Sequence, residues 1–295
     1  MLWLSRKDIE HISRRLLRDY LKKVPQKVDH IDPTDFAEKM CGLQFTFADI
    51  SEAHDAIGLT ATSGVIITIP QRDGTRLDYE LDGKTAFIDQ SLVAENQIGR
   101  LNFTMMHEAA HQLFWMLYPE EYEVQTPRCV FRMADEHTQY PVLDWEEWQT
   151  NVLTSFLLLP KELVYRHMAD VGLKDGIGVL NRIYARKDYE RFSEAAKRLG
   201  VSKTALAIRS SQLGLVGRND LYDPYGNCLY PSTFVHSFFL SFVRWPRYSL
   251  LPFPSLDGSH ACAAEMVKCR KENNYGPQHQ LLWDRHPAQK TPGMR

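Results

Sequence analysis

The sequence of 295 residues contains no long hydrophobic run and no strong excess of charge of either sign. Its most apolar later stretch, Phe234 to Val243, is far shorter than the roughly 20 residues that a membrane-spanning helix needs. The first residues, MLWLSRKD, reach charged side chains at once and lack the apolar core of a secretory signal. A formal net charge of -2 gives the chain as a whole no electrostatic reason to bind nucleic acid or an anionic membrane. We therefore expect a soluble, cytoplasmic, globular protein.

Paired cysteines are missing as well. The five cysteines are scattered along the chain, and none forms a C-x-x-C pair, which disfavours a thiolate metal site and a disulfide framework. Free thiols in a reducing compartment are therefore expected. The positions are Cys41, Cys129, Cys228, Cys262 and Cys269.

The chain before residue 43 carries signals for two helices. Ser5 begins a capping-box pattern, and apolar residues recur at helical spacing from about Arg6 to Lys22. The dipeptide Asp32-Pro33 is typical of a helix start, and Gly42 lies just past the end of this second, short helix.

After this point the hydrophobic period changes to two, which predicts strands. Asp-Gly pairs at positions 73–74 and 82–83 are typical of tight turns between strands. We therefore predict a small antiparallel sheet. Its strands are Leu43 to Phe47, Val65 to Ile69, Leu77 to Leu81 and Ala86 to Ile88.

The patterns that follow are mostly helical. Helices are predicted from about Glu95 to Tyr118 and from near Asp144 to Pro160, where a proline ends each pattern. Residues 189–216 predict two further helices joined by a short turn at Gly200, with Ser202 as the N-cap of the second. The predicted class is therefore α+β, with the sheet packed on the first of these helices and a mostly helical half after it.

Three regions are predicted along the chain. Residues 1–30 form an N-terminal helix, residues 31–222 form the main domain, and residues 223–295 form a tail. Eight of the fifteen prolines and three of the five cysteines lie from Pro224 onward, with little periodicity. An irregular or partly disordered tail is expected from this composition.

The segment FTMMHEAAHQLF contains the pattern H-E-x-x-H. His107 and His111 stand four residues apart on a predicted helix, so their imidazoles lie on one face and can share a metal ion. Neutral imidazole suits zinc, and Glu108 can act as a general base toward a water molecule. The pattern also arises by chance in on the order of one chain in a hundred of this length. In that case the two histidines are ordinary helix residues.

A hydrolytic zinc site needs a third protein ligand and one open position. The residues three and six places after the second histidine are not the Gly and His of metzincins, so that ligand set is excluded. The next helical segment, DWEEWQTNVL, offers a carboxylate at Glu147, four residues before Asn151 on the same face. Glu146 is the alternative ligand, and Glu147 also fits a capping box that begins at Asp144.

These segments resemble the ImmA/IrrE family of metallo-endopeptidases. FTMMHEAAHQLF is followed by EWQTN and then by LLLP, and the family typically has E-W-Q-A-N and L-L-M-P at these places. The similarity extends to IDPTDFAEKM, LDGKTAFID and VSKTALAIRSSQLGLV, and so covers roughly residues 30 to 220. Thr150 and Leu159 depart from the usual Ala and Met, and neither is at a ligand position.

The resemblance implies a zincin-like fold with a gluzincin-like zinc site. The family's ligand is the glutamate four residues before the asparagine, which favours Glu147 over Glu146. Asn151 takes the position of an outer aspartate that orients a ligating histidine in thermolysin-type enzymes. Family members often cut a helix-turn-helix repressor on mobile genetic elements or in stress responses, so a repressor-like protein is the implied substrate. The ligand types favour zinc, although manganese or iron can occupy similar sets.

The expected chemistry is metal-assisted hydrolysis of a peptide bond. Glu108 takes a proton from the attacking water and passes it to the leaving amine. A donor for the oxyanion is also needed, and His137, Tyr140 and His167 are the candidates. The strand Ala86 to Ile88 is expected to present an edge to which an extended substrate chain adds.

Two other functions are open to this sequence. Residues 189–216 resemble a helix-turn-helix, and residues 181–218 carry nine Lys or Arg against three Asp or Glu, which suits DNA binding. In a peptidase of this family the same helices would pack under the zinc site. The third reading is a non-catalytic zincin scaffold that binds or senses a partner, although such a protein has no need of a base at Glu108.

Overall fold

The computed structural model describes residues 3–25, 27–71, 74–93, 97–122, 129–133 and 145–225. Within these ranges the chain forms a mixed α+β fold, as predicted. His137, Tyr140, Asp144 and all but the first residues of the predicted tail lie outside the described residues. The prediction of an irregular tail therefore stays a prediction.

Local sequence signals account for the starts of three of the described helices. Ser5 and Asp8 form the predicted capping box, and the carboxylate of Asp32 accepts backbone N–H groups at the start of the second helix. Ser202 caps the last helix through its hydroxyl. The fifth helix was not predicted, because Pro160 ends one helix and directly precedes the next. The helices are α1 (Arg6–Lys23), α2 (Pro33–Cys41), α3 (Ile98–Leu117), α4 (Trp145–Leu158), α5 (Lys161–Asp170), α6 (Arg186–Arg198) and α7 (Lys203–Gln212), with a short 3-10 helix at Gln90–Val93.

The strands of the described ranges form three small sheets. They are β1 (Gln44–Ala48), β2 (Ala56–Ala61), β3 (Ser63–Pro70), β4 (Arg76–Asp82), β5 (Thr85–Asp89), β6 (Cys129–Met133), β7 (Ile177–Leu180) and β8 (Val216–Asn219). The largest sheet has the order β1-β5-β2-β6. The strands β3 and β4 form a separate antiparallel hairpin, and β7 pairs with β8 in parallel.

The prediction of one antiparallel sheet is wrong in two respects. First, β1 pairs with β5 in parallel, with Gln44 opposite Thr85. Second, β4 and β5 belong to different sheets although Gly83 and Lys84 alone separate them. The strand β2 pairs antiparallel with both β5 and β6. It was not predicted, because all of its residues are buried and its sequence shows no alternation of polar and apolar residues.

The prediction that residues 86–88 present a free strand edge is also wrong. The strand β5 lies between β1 and β2, so both of its sides are already paired. Among the described strands of this sheet, the edge strands are β1 and β6, and β6 is the one next to β2.

The four-stranded sheet packs on α3. Ala86 of β5 and Ala109 of α3 are fully buried in one small hydrophobic cluster. Gln112 of α3 donates hydrogen bonds from Nε2 to the hydroxyl of Thr60 at 2.8 Å and to the carbonyl of Ala61 at 3.0 Å. Small side chains bring helix and sheet close together, and the glutamine holds the rotation of the helix relative to β2.

The other side of α3 packs on helices. Met106 and Leu113 share the largest core with Ile9 of α1 and with Leu153 and Leu157 of α4. Full burial of one such side chain contributes roughly 1.5–3 kcal/mol. Polar groups on α3 are therefore enclosed between the sheet and the helices α1 and α4.

The turn between α6 and α7 contacts the start of α3. A Cβ added at Gly99 would lie 2.3 Å from the backbone nitrogen of Ser202, so the two backbones touch there. Asn102 donates from Nδ2 to the carbonyl of Gly200 at 2.8 Å. These contacts tie the last two helices to the helix that carries H-E-x-x-H.

Two remaining expectations concern thiols and membranes. Cys41 and Cys129 are free thiols, as predicted, and the other cysteines lie outside the described residues. Within the described ranges, no helix combines the length and the apolar character needed to cross a membrane.

Candidate metal centre

Two histidines of α3 lie next to the start of α4 in the interior. His107 and His111 are 0% and 1% exposed, and their rings meet edge to face with centroids 4.8 Å apart. Their Nε2 atoms are 3.1 Å apart. Helical periodicity explains why the rings are neighbours, and the packing of α3 on both sides explains why they are buried.

Glu147 of α4 completes a triangle of ligand atoms. Its Oε2 lies 3.1 Å from Nε2 of His107, and its Oε1 lies 3.0 Å from Nε2 of His111. The Glu147 side chain is 34% exposed, whereas both histidines are buried. The three residues predicted as ligands therefore converge on one point.

The triangle has the size and chemistry that zinc requires. A tetrahedral zinc ion with bonds of ~2.0–2.1 Å holds neighbouring ligand atoms ~3.3 Å apart. The observed separations of 3.0–3.1 Å are close to that value. Two imidazoles and one carboxylate are also the ligand set of many catalytic zinc sites. These residues could therefore hold a metal ion.

The carboxyl group of Glu146 lies behind the histidine ring. Its Oε1 accepts a hydrogen bond from Nε1 of Trp115 at 3.1 Å and lies 3.7 Å from Nδ1 of His111. Glu147 instead faces the Nε2 atoms of both histidines. The geometry thus selects Glu147 over Glu146 as the candidate ligand.

The outer nitrogen of His111 faces oxygen atoms. The hydroxyl oxygen of Thr150 lies 3.4 Å from Nδ1, and this hydroxyl donates its own proton to the carbonyl of Glu146 at 2.8 Å. The Thr150 oxygen is therefore available as an acceptor for a proton on Nδ1. With that proton on Nδ1, the Nε2 lone pair is free to bind a metal ion.

The outer nitrogen of His107 faces a cation instead. Arg132 of β6 donates from Nη1 to Nδ1 of His107 at 2.7 Å and to Oδ1 of Asn151 at 3.1 Å. Its guanidinium lies over the ring of Phe103, 5.0 Å from the centroid. Within the described residues, no hydrogen bond joins Asn151 to His107 directly. Any effect of Asn151 on the orientation of His107 therefore passes through Arg132 in this arrangement.

Glu108 lies on the side of α3 that faces β2. It is fully buried, and neither carboxylate oxygen has a hydrogen-bond partner among the described residues. A Cβ added at Gly58 of β2 would lie 2.4 Å from Oε1 of Glu108, so only glycine leaves room for the carboxyl group. Leaving a buried carboxyl group unsatisfied is costly. Such a group indicates a role toward a water molecule or a substrate.

Burial shifts the pKa values of Glu108 and His107 so that each group favours its neutral form. It raises the pKa of Glu108 to about 8, because the carboxylate loses its hydration. Burial, together with the positive charge of Arg132, lowers the pKa of His107 to about 3. His107 is therefore a neutral imidazole, the form that can bind a metal ion.

The pKa values of Glu147 and His111 shift so that each group favours its charged form. Burial alone would lower the pKa of His111, but the carboxylates of Glu147 and Glu146 outweigh it and raise that pKa. Burial alone would raise the pKa of Glu147, but the adjacent histidines outweigh it and hold that pKa below its usual value. The mutual attraction of His111 and Glu147 thus favours the charged form of each group.

The structure gives a different role to one predicted oxyanion donor and adds residues that sequence patterns miss. His167 is buried in α5, and its Nε2 lies 2.7 Å from the carbonyl oxygen of Asp29, a structural hydrogen bond. No motif singles out Arg132, because its position beside His107 depends on strand pairing. Gly58 had a usable signal, since a glycine inside a strand segment often marks close approach of another element.

The helices α6 and α7 are packed into the fold. In α7 only Lys203 and Gln212 are exposed. Arg209 is 5% exposed, donates from Nε to the carbonyl of Leu159 at 3.1 Å and lies over the ring of Phe156. A recognition helix presents a free face to the major groove. These contacts favour the packing interpretation, and DNA binding remains an untested alternative.

A second group of ligand-type side chains lies at the end of β5. The buried carboxylate of Asp89 accepts backbone N–H groups from Ile50 and Ser91 and pairs with Nδ1 of His54 at 3.0 Å. These bonds satisfy the carboxylate and hold the loop together. Asp49 is the third member of this group, and we do not assign a metal site to it.

The fold and the candidate metal centre define a mixed α+β protein whose longest helix carries two of three convergent metal-ligand side chains. No protein-family model matches the chain, and no curated protein is significantly similar to it.

Proposed function

We propose that the protein is a zinc-dependent endopeptidase of the ImmA/IrrE type with a zincin-like fold. His107, His111 and Glu147 are the metal ligands, and Glu108 is the general base. The observation that carries the proposal is the triangle of ligand atoms with sides of 3.0–3.1 Å. Glu108, one residue from a ligand, is buried and has no hydrogen-bond partner in the part of the chain that the structure describes, which supports hydrolysis over simple metal storage.

Zinc bound there would act as a Lewis acid on a water molecule and on the scissile carbonyl. Glu108 takes the proton from the attacking water and later gives it to the leaving amine. A nearby positive charge lowers the pKa of a carboxyl group, so Glu108 changes from the neutral form of the metal-free protein to a proton acceptor. Gly58 has no side chain, so it leaves space for the carboxyl group of Glu108.

The substrate is proposed to be a protein that presents an extended segment. Because β5 is paired on both sides, the edge that the described strands leave beside the site belongs to β6, whose Arg132 contacts His107. An extended chain can add to such an edge through main-chain hydrogen bonds. By resemblance, a helix-turn-helix repressor in the cytoplasm is the proposed substrate.

Metal analysis and cleavage together test this function. The purified full chain should contain about one zinc ion, Glu108→Gln should retain it, and His111→Ala should lose it. The parent should cleave a peptide library or a repressor encoded nearby, and Glu108→Gln should be about 10²–10⁴-fold slower. Equal zinc content in His111→Ala would overturn the metal site. Zinc binding without any cleavage would favour the non-catalytic scaffold.

DNA binding is the second candidate to exclude. The basic residues of 181–218 and the helix-turn-helix-like pattern of residues 189–216 are in its favour, and the packing of α7 opposes it. A gel-shift titration over a range of salt concentrations decides the matter. A sequence-specific shift with a steep salt dependence would support DNA binding.

A further inference from the structure

The two histidines of the candidate centre differ in what faces their outer nitrogen. Nδ1 of His111 lies beside the hydroxyl oxygen of Thr150, an acceptor. Nδ1 of His107 lies 2.7 Å from Nη1 of Arg132, which can only donate. The Nδ1 atom of His107 must therefore be an acceptor in this arrangement.

This contact decides which nitrogen of His107 carries the proton. A neutral imidazole has one N–H group, and the Arg132 contact excludes it from Nδ1. The proton is therefore on Nε2, where Oε2 of Glu147 at 3.1 Å accepts it. This tautomer has no lone pair on Nε2 and cannot bind a metal ion at the triangle.

Metal binding consequently requires a change of tautomer at His107. The proton leaves Nε2, and one proton is held on Nδ1, so the ring stays neutral while Nε2 gains a free lone pair. Two N–H groups cannot remain 2.7 Å apart, so Arg132 must move away from Nδ1. Oδ1 of Asn151 accepts a hydrogen bond at 3.1 Å from the same Nη1 atom of Arg132 that contacts His107, so we assign it as the acceptor for the new Nδ1–H group.

We propose that Arg132 opposes metal loading by holding His107 in the tautomer that cannot bind the metal, and that Asn151 favours loading by accepting the proton from Nδ1. Arg132 is thus a positioning residue that acts through His107. The inference rests on the proposed metal site, but it concerns the affinity of that site and not the peptidase reaction. The guanidinium of Arg132 also lies over the ring of Phe103, 5.0 Å from its centroid, and this contact helps to keep it beside His107.

Zinc affinity of the full chain, measured by competition with a chromophoric chelator, tests the inference. Arg132→Met removes the donor, so zinc should bind about tenfold more tightly or better, as for loss of a competing hydrogen bond with a charged group. Asn151→Leu removes the acceptor and should weaken binding about 10–100-fold. Arg218→Met, at a surface arginine of β8, controls for the loss of one positive charge and should change affinity by less than about threefold.

The outcomes separate this inference from the proposed function. If the parent binds no zinc, or if His111→Ala binds it equally well, the metal site itself fails. If the parent binds zinc but Arg132→Met binds it equally or more weakly, only the role of Arg132 fails.

Histidine-selective nitrogen NMR supplies a second readout. In the metal-free parent the proton of His107 should be on Nε2, and after zinc addition it should be on Nδ1. A proton already on Nδ1 in the metal-free parent would overturn the inference even if every affinity changed as expected.

Discussion

Replacing Glu108 by glutamine in the metal-free protein should change how stability depends on pH. The carboxyl group of Glu108 has an ordinary value of 4.5, and burial raises its pKa to about 8 in the folded state. Folding therefore takes up a proton at any pH between these values. A group with a raised folded pKa contributes stability that is complete below pH 4.5 and is lost as pH rises through 8.

The size of the effect follows from the linkage relation. One proton bound only in the folded state lowers the free energy of unfolding by about 1.4 kcal/mol for each pH unit. Between about pH 5.5 and pH 7 the parent should lose about 2 kcal/mol from Glu108 alone. Glu108→Gln has no proton to lose, so its stability relative to the parent should rise by that amount over the same interval.

Urea unfolding in the presence of a chelator measures this difference directly. The ion pair of His111 and Glu147 is present in both proteins, so its titration largely cancels in the comparison. Glu162→Gln, at an exposed position of α5, controls for the substitution itself. A difference between Glu108→Gln and the parent that is the same at every pH would refute the argument, because it would mean that the folded protein solvates or pairs the Glu108 carboxylate.

Two glycine substitutions test the packing around α3, each against Gly178→Ala, where an added Cβ meets nothing within 4 Å. Gly58→Ala would bring its Cβ within 2.4 Å of Glu108 Oε1. Cleavage should therefore fall about 10²–10⁴-fold while metal analysis still finds zinc, and unchanged turnover would show that the Glu108 carboxyl group makes room for the added methyl group. Gly99→Ala would place its Cβ against the backbone of Ser202, which cannot rotate away. Thermal or urea unfolding should show a loss of about 1–3 kcal/mol, and stability equal to Gly178→Ala would contradict the close contact.

Features that depend on neighbours in the sequence were predictable. Helix caps at Ser5, Asp32 and Ser202 involve atoms within three residues of one another, and all are present in the structure. The spacing of His107 and His111 follows from one turn of helix, and their rings are adjacent as expected. Hairpin β3–β4 also follows from local alternation and a short turn.

Features that depend on pairing between distant segments were not predictable. The fully buried strand β2 has no alternation, and the parallel pairing of β1 with β5 leaves no mark on either segment. The short link between β4 and β5 is typical of a hairpin, yet β5 pairs with β1 and β2, and four of its five residues are buried there. Which strands pair depends on how distant segments pack together in the core, so local sequence patterns do not determine the pairing.

The amino-acid sequence alone determined the helix that carries His107, Glu108 and His111, since a periodic pattern and its ends are properties of one segment. The choice between Glu146 and Glu147 needed the tertiary structure, because adjacent residues on a helix point about 100° apart and only the packing of α4 on α3 selects one. The contact of Arg132 with His107 is also a product of tertiary structure. It joins a strand to a helix across 25 residues of chain, and such a contact is set by how the sheet packs on α3.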